Sequence, residues 1–138
     1  MTQRRTRTLA LLERLARQRL DAEARVLGQL RADLSATEAE RARLIASVET
    51  DATPPDQIGA AYTGSWLNGV STYAQALSAQ AVHLRREASD AQDRLAELYR
   101  EAKTFEQLKA RETEARKSER AAKEQAQIRA HLERLLPE

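Results

Sequence analysis

The sequence contains no cysteine, four glycines and three prolines in 138 residues, and aromatic residues make up only 4% of it. The absence of cysteine excludes disulfides and thiolate metal sites. The scarcity of aromatic side chains argues against a thick globular core, because these side chains supply much of a core's buried area. No run of about 18 apolar residues occurs, so the sequence predicts no membrane-spanning helix.

Neither sign of charge dominates the chain, which has 23 basic and 21 acidic residues and a formal net charge of +2. Its pI of about 9.2 therefore overstates its basicity. Basic residues do occur near the start, but the apolar residues at 9–12 are followed at once by Glu13 and Arg14. This pattern lacks the continuous apolar core of a secretory signal, so we expect no cleaved signal.

Helix-forming residues are abundant, chiefly Ala, Leu, Glu, Arg and Gln. Two runs of mainly apolar residues recur at alternating spacings of three and four. The first run is Leu27, Leu30, Leu34, Thr37, Arg41, Leu44 and Val48, and the second is Leu84, Ala88, Ala91, Leu95, Leu98, Ala102 and Phe105. Such a period keeps one seam, the stripe that faces a partner helix, along the whole helix. The sequence therefore predicts an all-α fold, a long antiparallel two-helix coiled-coil hairpin forming a single domain over 1–138.

The bounds of the two helices follow from the helix-breaking residues. Pro54 and Pro55 cannot continue a helix, and Gly59 and Gly64 add flexibility. Ser65 is a suitable N-cap, because its hydroxyl can accept a bond from a free amide of the first turn. We predict a first helix over about 5–49, a bend at 50–65 and a second helix over about 66–135.

The seam of the first helix is predicted to be irregular near its start. The series Leu9, Leu12, Ala16, Leu20, Glu23 and Leu27 has spacings of 3, 4, 4, 3 and 4. Two successive fours form a stutter, which unwinds a supercoil locally. Gly28 is the interior glycine of this helix, and it is either a site of close packing or a tolerated exposed glycine.

The two predicted helices differ in length. Pairing Val48 with Trp66 in an antiparallel hairpin places Leu9 level with Phe105. Residues 109–127 contain no Leu, Ile, Val, Met or aromatic residue. Both observations predict that the second helix overhangs the first by roughly 27 residues, or about 40 Å.

A short apolar stripe lies near the end of the predicted overhang, formed by Ile128, Leu132, Leu135 and Leu136. The hairpin offers this stripe no partner within the chain. It is either a frayed tail or a docking face, since an amphipathic helix with an unmatched face suits binding in a groove.

Candidate catalytic and metal-binding residues are few. His83 and His131 are the only histidines, and neither has a second ligand at metal spacing. The glycines do not form a phosphate-binding loop. A two-stranded rod also offers no concave site that excludes water. We therefore expect no enzyme activity, no metal and no cofactor.

The first twenty residues are strongly asymmetric in charge, since Glu13 is opposed by Arg4, Arg5, Arg7, Arg14, Arg17 and Arg19. This segment could bind phosphate backbones, an acidic protein, or an anionic membrane with Leu9, Leu12, Leu15 and Leu20 inward. The hairpin seam requires the same leucines. Nucleic acid is disfavoured, because no aromatic residue lies nearby to stack on bases.

Three of the five aromatic residues cluster at the predicted bend and just after it, namely Tyr62, Trp66 and Tyr73. Aromatic residues at the tip of a hairpin either close its core or form a patch for a partner. Trp66 is expected to cap the core, and Tyr73 to lie in or beside the seam.

This layout resembles the flagellar FliJ proteins and their type III secretion counterparts, the SctO or YscO-like proteins. The resemblance rests on "LALLERLA" at 9–16, "AEARVLGQL" at 22–30, and "GAAYTGSWLN" at 59–68 followed by Tyr73 and His83. Members are small, cysteine-poor antiparallel coiled coils with a longer C-terminal helix, and they are similar to the central stalk of a rotary ATPase.

The resemblance implies a non-catalytic role that couples an export ATPase (FliI-like) to the cytoplasmic domain of an export gate (FlhA-like), with some export chaperones as further partners. The end that bears both termini would enter the ATPase ring. The implied location is the cytoplasm, peripheral at the inner membrane. The flagellar and virulence-type systems are not distinguished.

Residues are assigned to these two contacts by position. The gate-binding set is Leu44, Val48, Tyr73, Ala76, Ala79 and His83. The ATPase-binding set is Arg4, Arg5, Arg7, Arg116, Lys117 and Arg120. The alternative function is a generic coiled-coil scaffold or adaptor, for example in the cytoskeleton or in division.

Overall fold

The computed structural model describes residues 2–51 and 57–136, with side chains for 3–50 and 64–136. Two long helices account for almost all of these residues. Helix α1 covers Thr2–Asp51 and helix α2 covers Gln57–Leu135. The two helices pack against each other, because each carries a stripe of buried and half-buried residues at spacings of three and four. The prediction of an all-α fold built from two long packed helices is confirmed.

Both helices are longer than predicted at the bend. Thr50 and Asp51 still belong to α1, and α2 begins at Gln57 instead of residue 66. The predicted N-cap Ser65 is therefore wrong, since it lies inside a helix. An isolated glycine costs a helix only about 1 kcal/mol, so Gly59 and Gly64 weaken α2 without ending it. Pro54 and Pro55 lie outside the described residues.

The chain divides into two units, which we call the terminal unit and the central unit. The terminal unit comprises Met1–Asp21 and Ala96–Glu138, and the central unit comprises Ala22–Leu95. Each unit therefore contains one segment of α1 and one segment of α2.

The seam of the central unit is predominantly apolar. Its most buried apolar side chains are Leu27, Leu77, Ala81, Leu84 and Ala91. Thr37 is a buried polar residue of this seam, and its hydroxyl donates to the Asp33 carbonyl at 2.8 Å. Arg41 was predicted to lie in the seam but is exposed. Burying its guanidinium group without a charge partner would cost free energy, so the long side chain extends to water instead.

The seam of the terminal unit contains a buried carboxylate. Glu13 is 8% exposed, whereas Leu12, the residue predicted to lie there, is 37% exposed. With Glu13 in place, the seam positions of α1 run 6, 9, 13, 16, 20, 23 and 27, and their spacings alternate between three and four without interruption. The predicted stutter is therefore wrong.

The carboxylate of Glu13 is stabilised by two cations. Arg17 Nη2 lies 3.0 Å from Glu13 Oε1, and Lys109 Nζ lies 3.3 Å from Glu13 Oε2. A buried carboxylate is tolerated only where charge partners offset its lost hydration. These two contacts explain how a glutamate occupies a position that the apolar pattern assigned to a neighbouring leucine.

Polar contacts that join α1 to α2 within the terminal unit include Thr6 with Arg116, Glu13 with Lys109, and Arg17 with Glu106. The residue number on α2 falls as that on α1 rises. Leu9 accordingly lines one groove together with Leu108, Arg111 and Glu112. Leu9 therefore lies beside residues 108–112 of α2 and not level with Phe105, as was predicted. The difference arises because polar seam residues extend the helix pairing beyond the last large apolar residue.

Corresponding contacts in the central unit include Glu23 with Arg94, Glu38 with Arg85, and Glu40 with Tyr73. The first two are ion pairs, at 2.8 Å and 2.5 Å. Again the residue number on α2 falls as that on α1 rises. Glu23 occupies a half-buried seam position, whereas the Glu38 and Glu40 contacts lie at the exposed edge of the seam. These contacts fix which residues of the two helices meet.

The unpaired part of α2 begins later than predicted. Lys109, Glu112 and Arg116 are half-buried, whereas every described side chain from Lys117 to Leu136 is exposed. We call residues 117–136 the C-terminal extension. Its helical part, 117–135, is roughly 28 Å long at 1.5 Å per residue. The predicted start at residue 109 is wrong, because polar side chains continue the seam at the same spacing.

Gly28 is exposed, and a Cβ added there would meet nothing within 4 Å. Of the two interpretations of this residue, the structure favours the tolerated exposed glycine. Within the described part of the chain, neither helix contains a stretch long and apolar enough to cross a membrane.

Candidate partner-binding surfaces

The basic end of the terminal unit forms an open groove between α1 and α2. Arg4, Arg5 and Thr8 line it from α1, and Leu108 and Arg111 from α2, together with Leu9 and Glu112. Its volume is about 810 Å³. The guanidinium groups of Arg4, Arg5 and Arg111 form no ion pair within the described residues. The groove therefore combines the apolar side chains of Leu9 and Leu108 with an excess of positive charge over the single carboxylate of Glu112.

The other residues of the predicted ATPase-binding set take different positions in the same unit. Arg7 is exposed on α1, and Lys117 and Arg120 are exposed on the C-terminal extension. Arg116 is half-buried, and its Nη1 donates to Thr6 Oγ1 at 3.3 Å. Arg116 thus belongs to the helix pairing, and the remaining five side chains are accessible.

Three residues of the predicted gate-binding set share one exposed face of α2 in the central unit. Ala76, Ala79 and His83 are spaced by three and four residues, and each lies two residues from a seam position, about 200° around the helix. His83 Nε2 lies 2.9 Å from Glu87 Oε1, one turn further along. The small alanine side chains leave this face open to a partner.

The other three residues of that set lie toward the helix interface. Leu44 and Val48 are half-buried on the seam side of α1. Tyr73 is 45% exposed, and its hydroxyl donates to the carboxylate of Glu40 on α1. The structure therefore brings Ala76, Ala79 and His83 together, and it places Leu44 and Val48 in the interface between the helices.

The environment of Tyr73 raises the pKa of its phenol above the ordinary value of 10.0. The hydrogen bond to Glu40 is the main cause, and partial desolvation and the negative charge of Glu40 act in the same direction. Each of these effects disfavours the phenolate. Tyr73 therefore stays a hydrogen-bond donor across the physiological pH range.

The aromatic cluster predicted at the bend is described only in part. Trp66 is 38% exposed, and its neighbour Leu67 is 37% exposed. The side chain of Tyr62 lies outside the described residues. Trp66 therefore offers part of its surface to solvent and does not bury itself as a complete cap.

The apolar stripe of the C-terminal extension is exposed along its whole length, with Ile128 60%, Leu132 52%, Leu135 62% and Leu136 74% exposed. Continuing the seam of α2 from Lys109, Glu112 and Arg116 leads through positions 119, 123, 126, 130 and 133. Ile128, Leu132 and Leu135 are each two residues from one of these positions, so they lie on the opposite side of the helix. The stripe is therefore not a continuation of the pairing with α1.

Outward faces of the helices also carry the exposed apolar residues Leu11, Leu15 and Val82. Of these, only Leu15 was named from the sequence, as a leucine that could face a membrane. Val82 is 51% exposed and lies one turn from Ala79 on α2. Leu11 and Leu15 are 59% and 44% exposed on α1. Assigning Glu13 to the seam would have predicted that Leu11 and Leu15 face away from α2, because that choice moves Leu11 to the opposite side of α1.

Within the described residues, no group of three or more histidine and acidic side chains could hold a metal ion. No family model, no curated protein and no solved structure matches this chain.

Proposed function

We propose that this protein is a non-catalytic central-stalk component of a flagellar or type III protein export apparatus. In this role it couples a FliI-like export ATPase to the cytoplasmic domain of a FlhA-like export gate, and binds some export chaperones. Its place is the cytoplasmic side of the inner membrane, held there by the apparatus. The proposal includes the finer architecture, a continuous antiparallel coiled coil.

The observation that carries this proposal is the C-terminal extension. Every described side chain in residues 117–136 is exposed, and charges of both signs alternate along the helix. A stalk that enters a ring needs a long polar helix that stays folded in water, and closely spaced opposite charges support such a helix. The basic groove around Arg4, Arg5 and Arg111 flanks the base of this extension.

The second contact of the proposed stalk uses the face formed by Ala76, Ala79 and His83. This face belongs to the central unit, whereas the extension and the basic groove belong to the terminal unit. Separate surfaces in separate units suit a protein that connects two partners. We assign the gate to the central unit and the ATPase to the terminal unit.

Two variants separate the proposed roles in assays with the cognate ATPase and the gate domain. A chain ending after Arg116 retains the helix pairing and lacks the extension, so it should lose ATPase stimulation and keep gate binding. The double variant Ala79→Asp/His83→Asp should lose gate binding and keep stimulation, because a desolvated contact would bury new charge. Ser89→Asp/Gln92→Asp, which places the same substitution on exposed residues elsewhere in α2, is the matched control.

Full stimulation by the chain ending after Arg116 would contradict the assignment of the terminal unit to the ATPase. Absence of binding to both partners by the intact protein would favour the scaffold or adaptor alternative. The architecture has its own test, a crosslink between cysteines introduced at Leu9 and Glu112. Linkage within one molecule is expected, and linkage only between molecules would contradict the hairpin.

A further inference from the structure

The first five turns of α1 carry a face that helix pairing does not use and that the proposed stalk contacts use only at Arg4 and Arg7. We call it the basic outward face, and it consists of Arg4, Arg7, Leu11, Arg14 and Leu15. The first four of these residues lie two positions before the seam residues 6, 9, 13 and 16, so they point away from α2. Leu15 lies one turn after Leu11 on the same face.

The charge of this segment is positive and uncompensated at its surface. Glu13 is the only acidic residue among residues 3–20, and it is 8% exposed and held by Arg17 and Lys109. Within the described residues, no ion pair involves Arg4, Arg7 or Arg14. Every charge on the basic outward face is therefore available to an anionic partner.

Apolar surface lies between these arginines. Leu11 is 59% exposed and Leu15 is 44% exposed, and both belong to the same turns as Arg7 and Arg14. Leucines surrounded by guanidinium groups are typical of helices that lie in a membrane interface. There the apolar side chains enter the acyl boundary while the arginines extend to the phosphates.

We propose that the basic outward face binds the surface of an anionic phospholipid bilayer. Guanidinium groups pair with lipid phosphates, and each arginine near an anionic surface strengthens binding by about fivefold. Nucleic acid would leave Leu11 and Leu15 exposed, and residues 3–20 contain no aromatic side chain to stack on bases. Binding to a bilayer surface also requires no shaped pocket on the helix.

This inference goes beyond the proposed function and does not rest on it, because a vesicle contains neither ATPase nor gate. It concerns direct contact of the chain with lipid. Arg4 and Arg7 belong both to this face and to the proposed ATPase contact. Binding to lipid and binding to the ATPase through these residues therefore exclude each other.

The first experiment measures sedimentation of the full chain with vesicles of phosphatidylcholine alone or containing about one-third phosphatidylglycerol. We expect binding to the anionic vesicles only. Arg4→Gln/Arg7→Gln/Arg14→Gln should lower the partition coefficient about 100-fold, since three charges are lost at about fivefold each. The control Arg31→Gln/Arg43→Gln/Arg86→Gln removes the same net charge from exposed positions of the central unit and should change binding by less than about twofold.

Two outcomes of that experiment would overturn the proposal. Equal binding to neutral vesicles would show that lipid charge is not recognised. An equal loss in the control variant would show that net charge, and not this face, determines binding. Circular dichroism should give the same helicity for all variants, because every substituted side chain is exposed.

The second experiment distinguishes a bilayer site from a general polyanion site. Leu11→Ala/Leu15→Ala should weaken binding to anionic vesicles roughly tenfold, because less apolar surface enters the interface. The same variant should bind a duplex DNA fragment as the unaltered chain does. Unchanged vesicle binding together with tight DNA binding would overturn the bilayer assignment.

Fluorescence tests insertion directly. Trp66 is the only tryptophan, so Leu15→Trp in a Trp66→Phe chain provides a single reporter on the basic outward face. Its emission should shift to the blue on anionic vesicles and stay unchanged with neutral ones. An unshifted emission on vesicles that sediment the protein would contradict insertion of this face.

Discussion

The central and terminal units use the same spacing of three and four residues and fill it with different chemistry. Buried positions of the central unit are mainly Leu and Ala, with Leu27, Leu77 and Leu84 among them. Seam positions of the terminal unit include Thr6, Glu13, Lys109, Glu112 and Arg116. The same spacing therefore carries a mainly apolar seam in the central unit and, in the terminal unit, a seam that mixes charged and polar residues with the buried Ala16 and Ala102.

This difference predicts where the stability of the protein lies. Burial of apolar surface is not screened by salt, whereas partly exposed ion pairs are weak and salt-sensitive. The central unit should therefore contribute most of the free energy of unfolding. The terminal unit should open more readily, and its polar seam instead fixes which residues of the two helices meet.

The largest expected effect comes from shortening a central leucine. Leu84 is 8% exposed, and Leu84→Ala should lower the free energy of unfolding by about 2–4 kcal/mol through lost apolar burial and a residual cavity. Leu98→Ala, at a half-buried position of the terminal unit, should cost about half as much. Urea denaturation followed by circular dichroism measures both, with exposed Leu132→Ala as the control. Equal losses at Leu84 and Leu98 would contradict the comparison.

Replacing Glu13 tests the polar seam. Glu13→Ala leaves Lys109 and Arg17 without their carboxylate partner and should lower the free energy of unfolding by about 1–2 kcal/mol. This loss is smaller than for a fully buried pair, because both cations are partly exposed. Glu13→Leu should be neutral or stabilising, since it makes the seam apolar. Thermal unfolding compares these variants with the exposed control Glu119→Ala. A large loss in Glu13→Leu would mean that the ion pairs themselves stabilise the unit.

Replacing exposed helical glycines should raise the stability of the central unit. A Cβ at Gly28 or Gly69 would meet nothing within 4 Å, and both residues are helical and exposed. Gly28→Ala and Gly69→Ala should each raise the free energy of unfolding by about 0.5–1 kcal/mol, because alanine loses less backbone entropy on folding. The reverse change at exposed Ala32 on the same helix, Ala32→Gly, should lower it by a similar amount. Chemical denaturation provides the measurement, and destabilisation by either alanine would indicate a contact that the free space does not show.

The smallest effect is the pH dependence that Tyr73 contributes to the central unit. Its pKa is raised in the folded protein, so the folded state holds this proton more tightly than the unfolded state does. The contribution is complete below about pH 10 and is lost as the pH rises through the folded pKa. Tyr73→Phe should remove this part of the alkaline decline in stability, as measured by denaturation at several pH values. Tyr99→Phe, a substitution at an exposed tyrosine, is the control, and an identical decline in both variants would contradict the role of the Glu40 bond.

Much of the fold could be predicted from the sequence, because spacing alone places most seam residues. Leu27, Leu84, Ala91 and Ala102 were assigned to the seam from their period, and each is buried. The error at Leu12 arose because the more apolar neighbour was preferred over Glu13. Lys109 is far from Glu13 in sequence, so the local pattern could not show that its ammonium group lies next to the Glu13 carboxylate.

The candidate surfaces were predicted less completely. The family resemblance assigned Ala76, Ala79 and His83 to one contact, and in the structure these three residues share one exposed face of α2. Leu11 was overlooked as an outward residue, and Leu15 was grouped with the seam leucines Leu9 and Leu20 on one possible membrane-facing side. The reason is that a choice between neighbouring seam positions decides which side of a helix every other residue occupies. The partners of these surfaces stay predictions.

The sequence by itself determined two long helices, since helix-forming composition and a period near 3.5 residues are local properties that each segment carries alone. It also determined the polar character of residues 109–127 and the apolar stripe near the end. Only the tertiary structure decided that Glu13 belongs to the seam, that pairing continues to Arg116, and that Leu11 and Leu15 face solvent among arginines. These features depend on which residues of α1 meet which residues of α2, and that choice is made by contacts between segments about 90 to 110 positions apart, which no local period records.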